Sequence, residues 1–305
     1  MNLNIIGKRN IFLIISAILI LASTALIVSY KIKPGIDFVG GSSWQIKIKN
    51  EKVNENNLKE FLSKLGIKNF VAYPALGTQS YLIRLENISE PDHQKYFEAL
   101  KNEFGDIEEL SFESIGPAIG HELAKKAIWA SILVLLGICF YVTFAFRRTS
   151  YLVPSFRYGI ITLVCLVHDV IIPLGVLVYL GHARGIDFNI SFVVALLTIM
   201  GYSVHDTIVV FDRIRSNLLT HRGELNFPQL TNNSVNQIIT RSINTSLTTL
   251  FALLALLFLG PFSLRYFILV LSIGVAVGTY SSIFVAAPLL VIWQNKSNRK
   301  YTNLK

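Results

Sequence analysis

Asp206 lies in the run MGYSVHDTIVVFDRIR (200–215), near the end of a stretch otherwise apolar enough to cross a bilayer. An ionised side chain at that depth costs about 2.5–3.5 kcal/mol on insertion scales. A carboxyl kept there generally faces a water-filled cavity, a partner group or a proton path, and its natural chemistry is proton exchange. At the helical rise it stands ~7.5 Å from the end of its span. Arg241, Thr245 and Ser246 enter the next span from the same side. If the two helices pack, Asp206, Arg241 and Thr245 share one depth. The guanidinium then favours the carboxylate and dehydration favours the neutral acid. The hydroxyls of Thr245, Ser246, Thr248 and Thr249 can hold water or bond across helices. The same residues admit plainer roles: Asp206 as a helix–helix bond, Arg241 as a headgroup anchor, Thr245 as a small packing residue.

A second ionisable pair, His168–Asp169, falls near the middle of another apolar stretch. Histidine titrates nearest physiological pH. The pair fits a second section of a proton path, a contact with a partner, or a lock between helices. Asp212, Arg213 and Arg215 read as interface charges closing the Asp206 span. Gly35-Ile-Asp-Phe38 recurs as Gly185-Ile-Asp-Phe188, a match too short in an Ile- and Phe-rich chain to argue a repeat. Gly274, Gly278, Ser281 and Ser282 put small residues on the last apolar stretch and predict a close helix contact. Cys139 and Cys165 lie within spans, with no CxxC or His cluster, so no metal is expected. No Gly-Lys-Ser/Thr follows the glycine-rich turn 35–41, and neither HExxH nor GxSxG occurs. The chain is therefore read as neither an enzyme nor a cofactor binder.

The elements that must hold these residues are membrane helices. Hydrophobic residues make up 52% of the chain and charged ones 15%. Six segments pass the length test of roughly 20 apolar residues: 11–30, 127–146, 159–180, 190–211, 243–260 and 266–293. Lys8 and Arg9 precede an apolar run about twice a signal peptide's core, so the first span reads as an uncleaved anchor. With the amino terminus in the cytoplasm, the inner segments carry thirteen basic residues and the two short outer loops only Arg184 and Arg265. That asymmetry places both termini inside. The net charge of +9 then belongs to the inner lipid surface, and no nucleic acid is needed to explain it. The polar segment 217–230 reads as a solvated connector.

One polar domain, 31–126, interrupts the spans. Residues 43–49 alternate with period two, a half-buried strand. A helix is expected over 54–65 through Leu58, Phe61, Leu62 and Leu65, then a hairpin of 70–76 and 80–86 around Gly77-Thr78. A helix over 89–104 capped by Ser89 and a strand over 108–115 complete the order βαββαβ, the ferredoxin-like arrangement. Gly35, Gly40 and Gly41 on one side, and Gly116 and Pro117 on the other, read as hinges at the membrane border. The organisation is thus 1–30, cytoplasmic terminus and first span; 31–126, extracytoplasmic α+β domain; 127–293, a five-helix bundle; and 294–305, a basic cytoplasmic tail.

The blocks 35–41, Ser114-Ile-Gly-Pro117, Gly201-Tyr-Ser-Val-His-Asp-Thr207 running on to Arg215, and Arg241-Ser-Ile-Asn-Thr-Ser-Leu-Thr-Thr249 resemble, in order, the signature blocks of the SecF family of bacterial protein-export membrane subunits. The resemblance implies SecD and the SecYEG channel as partners, and kinship with proton-driven resistance–nodulation–division transporters. It further implies that proton flow into the cytoplasm, through Asp206, moves the outer domain and assists the passage of unfolded polypeptide. His205 departs from the Asn that many relatives carry before this aspartate. A proton-coupled small-molecule exporter and a passive translocon scaffold are the competing readings. The small outer domain argues against the first and Asp206 against the second.

Overall fold

The computed structural model describes residues 3–50, 53–74, 79–147, 152–220, 226–261 and 264–302. The turn expected at Gly77-Thr78 and the basic residues Arg148, Arg222 and Lys305 lie outside the described residues. The chain divides into two compact units. One comprises Met1–Lys31, Ala130–His182 and Ser191–Lys305; the other comprises Ile32–Trp129 with Ala183–Ile190.

Helix α1 (Arg9–Tyr30) leads to the sheet domain. There a short helix α2 (Ile36–Val39) precedes strand β1 (Gly41–Ile48). Helix α3 (Glu55–Lys64) follows, opened by a reciprocal cap between Asn54 and Asn57. Strands β2 (Val71–Pro74) and β3 (Ser80–Leu85) come next, then α4 (Glu90–Phe104), whose cap Ser89 accepts from the Asp92 N–H, and finally β4 (Ile107–Ile115). The sheet is antiparallel, in the order β2-β3-β1-β4. This is the expected βαββαβ ferredoxin-like topology.

Period-two alternation on β1 sends Trp44, Ile46 and Ile48 to one face, where they pack with Leu58 and Leu62 of α3 and Leu100 of α4. His93 of α4 is buried, stacked on Phe112 at 3.6 Å. Its Nε2 lies 2.8 Å from Glu109, which also accepts from the Trp44 indole at 3.0 Å. Glu109 thereby closes the polar edge of an otherwise apolar core.

The remaining helices are α5 (Pro117–Ala145), α6 (Ser155–Arg184), α7 (Ile190–Thr220), α8 (Phe227–Leu259), and α9 (Arg265–Ser281). The last runs through a π turn, Ser282–Ala286, into α10 (Ala287–Thr302). Among the described residues six helices, with α9 to α10 counted as one, are long and apolar enough to cross a membrane.

Two boundaries differ from the sequence reading. Helix α5 starts at Pro117, ten residues before the expected 127, because proline at a helix start sacrifices no hydrogen bond. Helix α8 starts at Phe227, so part of the expected connector is helix. Asn226 caps it by accepting from the Gln229 N–H, and Leu230, Ser234, Val235 and Ile238 bury one face. That polar stretch is fastened rather than solvated: Asn217 of α7 donates to Ser234 at 2.8 Å. Asn232 accepts from the Ile5 N–H at 2.9 Å, and Asn236 accepts from the Leu3 N–H at 2.8 Å.

Helices α6, α7 and α9–α10 form the buried centre of the bundle, while α1 and α5 are mostly exposed. The small residues of α9 pack on α7 as expected. A Cβ at Gly274 would lie 2.2 Å from Ile199, and one at Gly278 would lie 3.0 Å from Ser203.

Candidate functional site

Asp206 sits on the inner face of α7 and is 3% exposed. Its oxygen Oδ2 accepts from the Ser246 hydroxyl of α8 at 3.4 Å. Ser246 is also hydrogen-bonded to Thr279 of α9. The phenol of Tyr202, one turn before Asp206, reaches both Ser246 and Thr249 at 3.4 Å. Three helices therefore meet at the carboxyl through hydroxyl groups.

Arg241 and Thr245 do not join them. Both are exposed on α8, and the Thr245 hydroxyl turns back to the Arg241 carbonyl at 3.0 Å. Thr245 and Ser246 are consecutive, so they point about 100° apart around the helix. The packing of α8 presents the serine to Asp206 and leaves the threonine and arginine outside. His205 is likewise exposed, off the Asp206 face. Asp212 and Arg215 bridge each other at 3.4 Å, and Arg213 donates to Gln237 at 2.6 Å, as interface charges closing the span would.

His168 and Asp169 form a second buried cluster, 1% and 0% exposed. His168 Nδ1 lies 2.7 Å from Asp169 Oδ1. The other carboxylate oxygen accepts from Ser281 of α9 at 2.7 Å and from Ser203 of α7. Ser203 stands three residues before Asp206, on the same face of α7, and that spacing was the available signal for it in the sequence. Nothing in the sequence singled out Thr279 or Tyr202.

In the sheet unit four of the five border residues, Gly35, Gly40, Gly41 and Pro117, are close-packed. Gly40 and Gly41 have φ of +80° and +126°, and a Cβ on Gly40 would lie 2.6 Å from the Pro117 backbone. A Cβ on Gly35 would lie 3.1 Å from the Phe188 carbonyl, and of the border glycines Gly116 alone has open space around it.

The two Gly-Ile-Asp-Phe segments meet here. Pro34 and Phe188 form a parallel bridge, the Gly35 N–H donates to the Phe188 carbonyl at 2.7 Å, and the Phe188 N–H donates to the Lys33 carbonyl at 2.8 Å. Phe38 stacks on Phe188. Asp37 accepts from the Ile190 N–H, at the start of α7, at 2.7 Å. Asp187 pairs with Arg84 of β3, whose guanidinium also donates to the Gly185 carbonyl at 3.1 Å. Burial pushes the Asp187 carboxyl up and the Arg84 charge partly offsets it. Among the described residues no cluster of His, Cys, Asp or Glu could hold a metal.

The family profile described as protein export membrane protein SecD/SecF, C-terminal, matches residues 95–296. The protein translocase subunit SecF of Thermobaculum terrenum is 42% identical over 96% of this chain and 95% of its own length. The protein translocase subunit SecDF of Thermus thermophilus is 38% identical over 86% of this chain but only 34% of its own length. The crystal structure of SecDF, a translocon-associated membrane protein of that bacterium, superposes with a TM-score of 0.84 at 34% identity. It covers 97% of this chain, and this chain spans 39% of it. A SecDF structure in a super-membrane-facing form gives a TM-score of 0.72 at 32% identity, with 100% of this chain and 40% of that one covered. Six spans, one ferredoxin-like domain and a carboxyl buried among three helices thus accompany near full-length similarity to translocase subunits, and the chain belongs to the SecF side of the SecD/SecF family.

Proposed function

We propose that this chain works in the cytoplasmic membrane, with both termini inside and the sheet domain outside. There, together with SecD, it uses the proton-motive force to assist polypeptide export through SecYEG. Asp206 is the proton-exchanging group of this reading. The observation that carries it is the carboxyl's burial in an apolar helix with hydroxyl partners from two neighbouring helices. A carboxylate there is costly, and a hydroxyl can donate to the ionised form or accept from the protonated one.

Arg241 and Thr245 belong to the same reading as the face turned toward the second half of the machine. With Asn244 and Thr248 they make an exposed polar stripe on a membrane helix. Such a stripe is better covered by protein than by lipid. The fusion of both halves in SecDF relatives supports SecD as the cover. The Gly35, Gly40, Gly41, Gly116 and Pro117 border is then where motion of the helices passes to the sheet domain.

Asparagine keeps the shape of Asp206 but cannot titrate. Replacing the native chain by Asp206→Asn at matched membrane levels is expected to remove the proton-dependent part of export while SecD still co-purifies. Normal export under a proton gradient would overturn the reading and leave a passive scaffold.

A further inference from the structure

We propose that His168 and Asp169 form a second proton-binding site, in series with Asp206 through α7 and α9. The inference rests on the proton-driven reading above and extends it to residues outside the Asp206 cluster.

A pair that served only to lock helices would have its polar atoms satisfied. Asp169 is satisfied, by Ser203, Ser281 and His168. His168 is not: Nε2 is buried and has no hydrogen-bond partner among the described residues. Leaving a buried polar atom unpaired costs about 1–3 kcal/mol. With Nδ1–H donating to the carboxylate, Nε2 carries a free lone pair, the state that accepts a proton.

The transfer balances without any further reactant. A proton arrives at Nε2 and the Nδ1 proton passes to Asp169 Oδ1. The imidazole is neutral before and after the two transfers, changing only its tautomer, and the pair goes from one negative charge to none. Neutralisation is the favourable direction for a carboxyl in hydrocarbon. Release retraces the same steps. The hydroxyls of Ser203 and Ser281 support the ionised carboxylate between transfers.

Among the described residues the titratable groups around the pair are few. They are Cys165 one turn earlier on α6, Tyr280 of α9, whose ring lies 6.4 Å from the His168 ring, and Asp206, one turn beyond Ser203 on α7. Two elements connect the sites. Helix α7 carries Ser203 and Asp206 on one face. Helix α9 carries Ser281, bonded to Asp169, and Thr279, bonded to Ser246 and so to Asp206. The π turn Ser282–Ala286 begins directly after Ser281. Such turns recur at functional sites, and here one adjoins the stretch of helix that touches both carboxyls.

The test is infrared difference spectroscopy of the full chain in liposomes between pH 5 and pH 9. A carboxylic C=O band that titrates in this range is expected. It should be lost in Asp169→Asn and kept in Asp206→Asn. His168→Gln and Ser281→Ala both retain Asp169, so they guard against a misfolded Asp169→Asn protein. The first should change the band's pH response and the second its frequency. An Asp169→Asn spectrum identical to the parent, or a band indifferent to His168→Gln, overturns the second site whatever Asp206 does. Normal export by Asp206→Asn, with the Asp169 band intact, would instead sink the proton-driven reading.

Discussion

Hydroxyl donors, Ser246 at Asp206 and Ser203 and Ser281 at Asp169, serve the two buried carboxyls among the described residues. A hydroxyl can serve a carboxyl in either protonation state, whereas a guanidinium can only donate and so favours the ionised one. A carboxyl met by serines therefore keeps a hydrogen-bond partner in either protonation state. Asp187 shows the other arrangement, a carboxylate held by Arg84 in the sheet unit. Burial outweighs that partner, and the Asp187 carboxyl is pushed above the ordinary range. Its proton-linked contribution to stability is thus complete below the free carboxyl's range and is lost as pH rises through the raised value. Arg84→Gln removes the largest counterweight and should push the carboxyl further up. The variant's stability penalty is then small in acid and grows toward neutral pH, to roughly 1–3 kcal/mol, as an unpaired carboxylate is left half-buried. Melting of the full chain in detergent from pH 4 to pH 8 checks this, and a penalty independent of pH would refute it.

Among the elements, close helix approach depends on particular glycines. A Cβ on Gly175 of α6 would lie 2.7 Å from the Ser23 backbone of α1, and one on Gly159 would lie 2.8 Å from the Cys139 carbonyl of α5. Backbone atoms cannot turn aside as a side chain can. Gly175→Leu is therefore expected to destabilise by about 1–3 kcal/mol through overpacking. Gly137 of α5 has open space where its Cβ would stand, so Gly137→Leu should leave the melting temperature unchanged. Equal effects of the two substitutions would contradict the packing described. The sheet domain has its own fastening, in which Asp37 of one repeated segment holds the start of α7 and Asp187 of the other holds β3. The segment Ala183–Ile190, from the end of α6 to the start of α7, belongs for this reason to the sheet unit. The helices that carry Asp169 and Asp206 continue directly into it.

On the scale of the whole molecule, α5 exposes apolar side chains along its span, whereas α8 exposes polar side chains next to apolar ones such as Ile243, Leu247 and Phe251. Helix α5 shows Leu133, Leu136, Phe140 and Phe144, as a lipid-facing helix should. Helix α8 shows Arg241, Asn244, Thr245 and Thr248. With Cys139 and Cys165 replaced, a cysteine at Thr248 is expected to form a disulfide with cysteines placed along the spans of co-expressed SecD, while one at Phe140 is not. The reverse pattern would put the partner on α5.

The six spans, the order βαββαβ and the presence of a carboxyl among apolar residues were all legible in the sequence, because length, periodicity and composition are properties of each segment alone. Asp206 could be singled out for the same reason: its depth follows from counting along one helix. Which groups meet it could not be read that way. Helix rotation is set by packing against neighbours, so Ser246 rather than Thr245 faces Asp206, and Ser203 and Ser281 converge on Asp169 from two other helices. The pairing of 35–38 with 185–188, about 150 residues apart, likewise needs the sheet domain to bring both segments together. Sequence determined the inventory of spans, strands and buried ionisable groups; only the tertiary structure decided the partners, because a contact depends on rotation and register between elements that no single segment records.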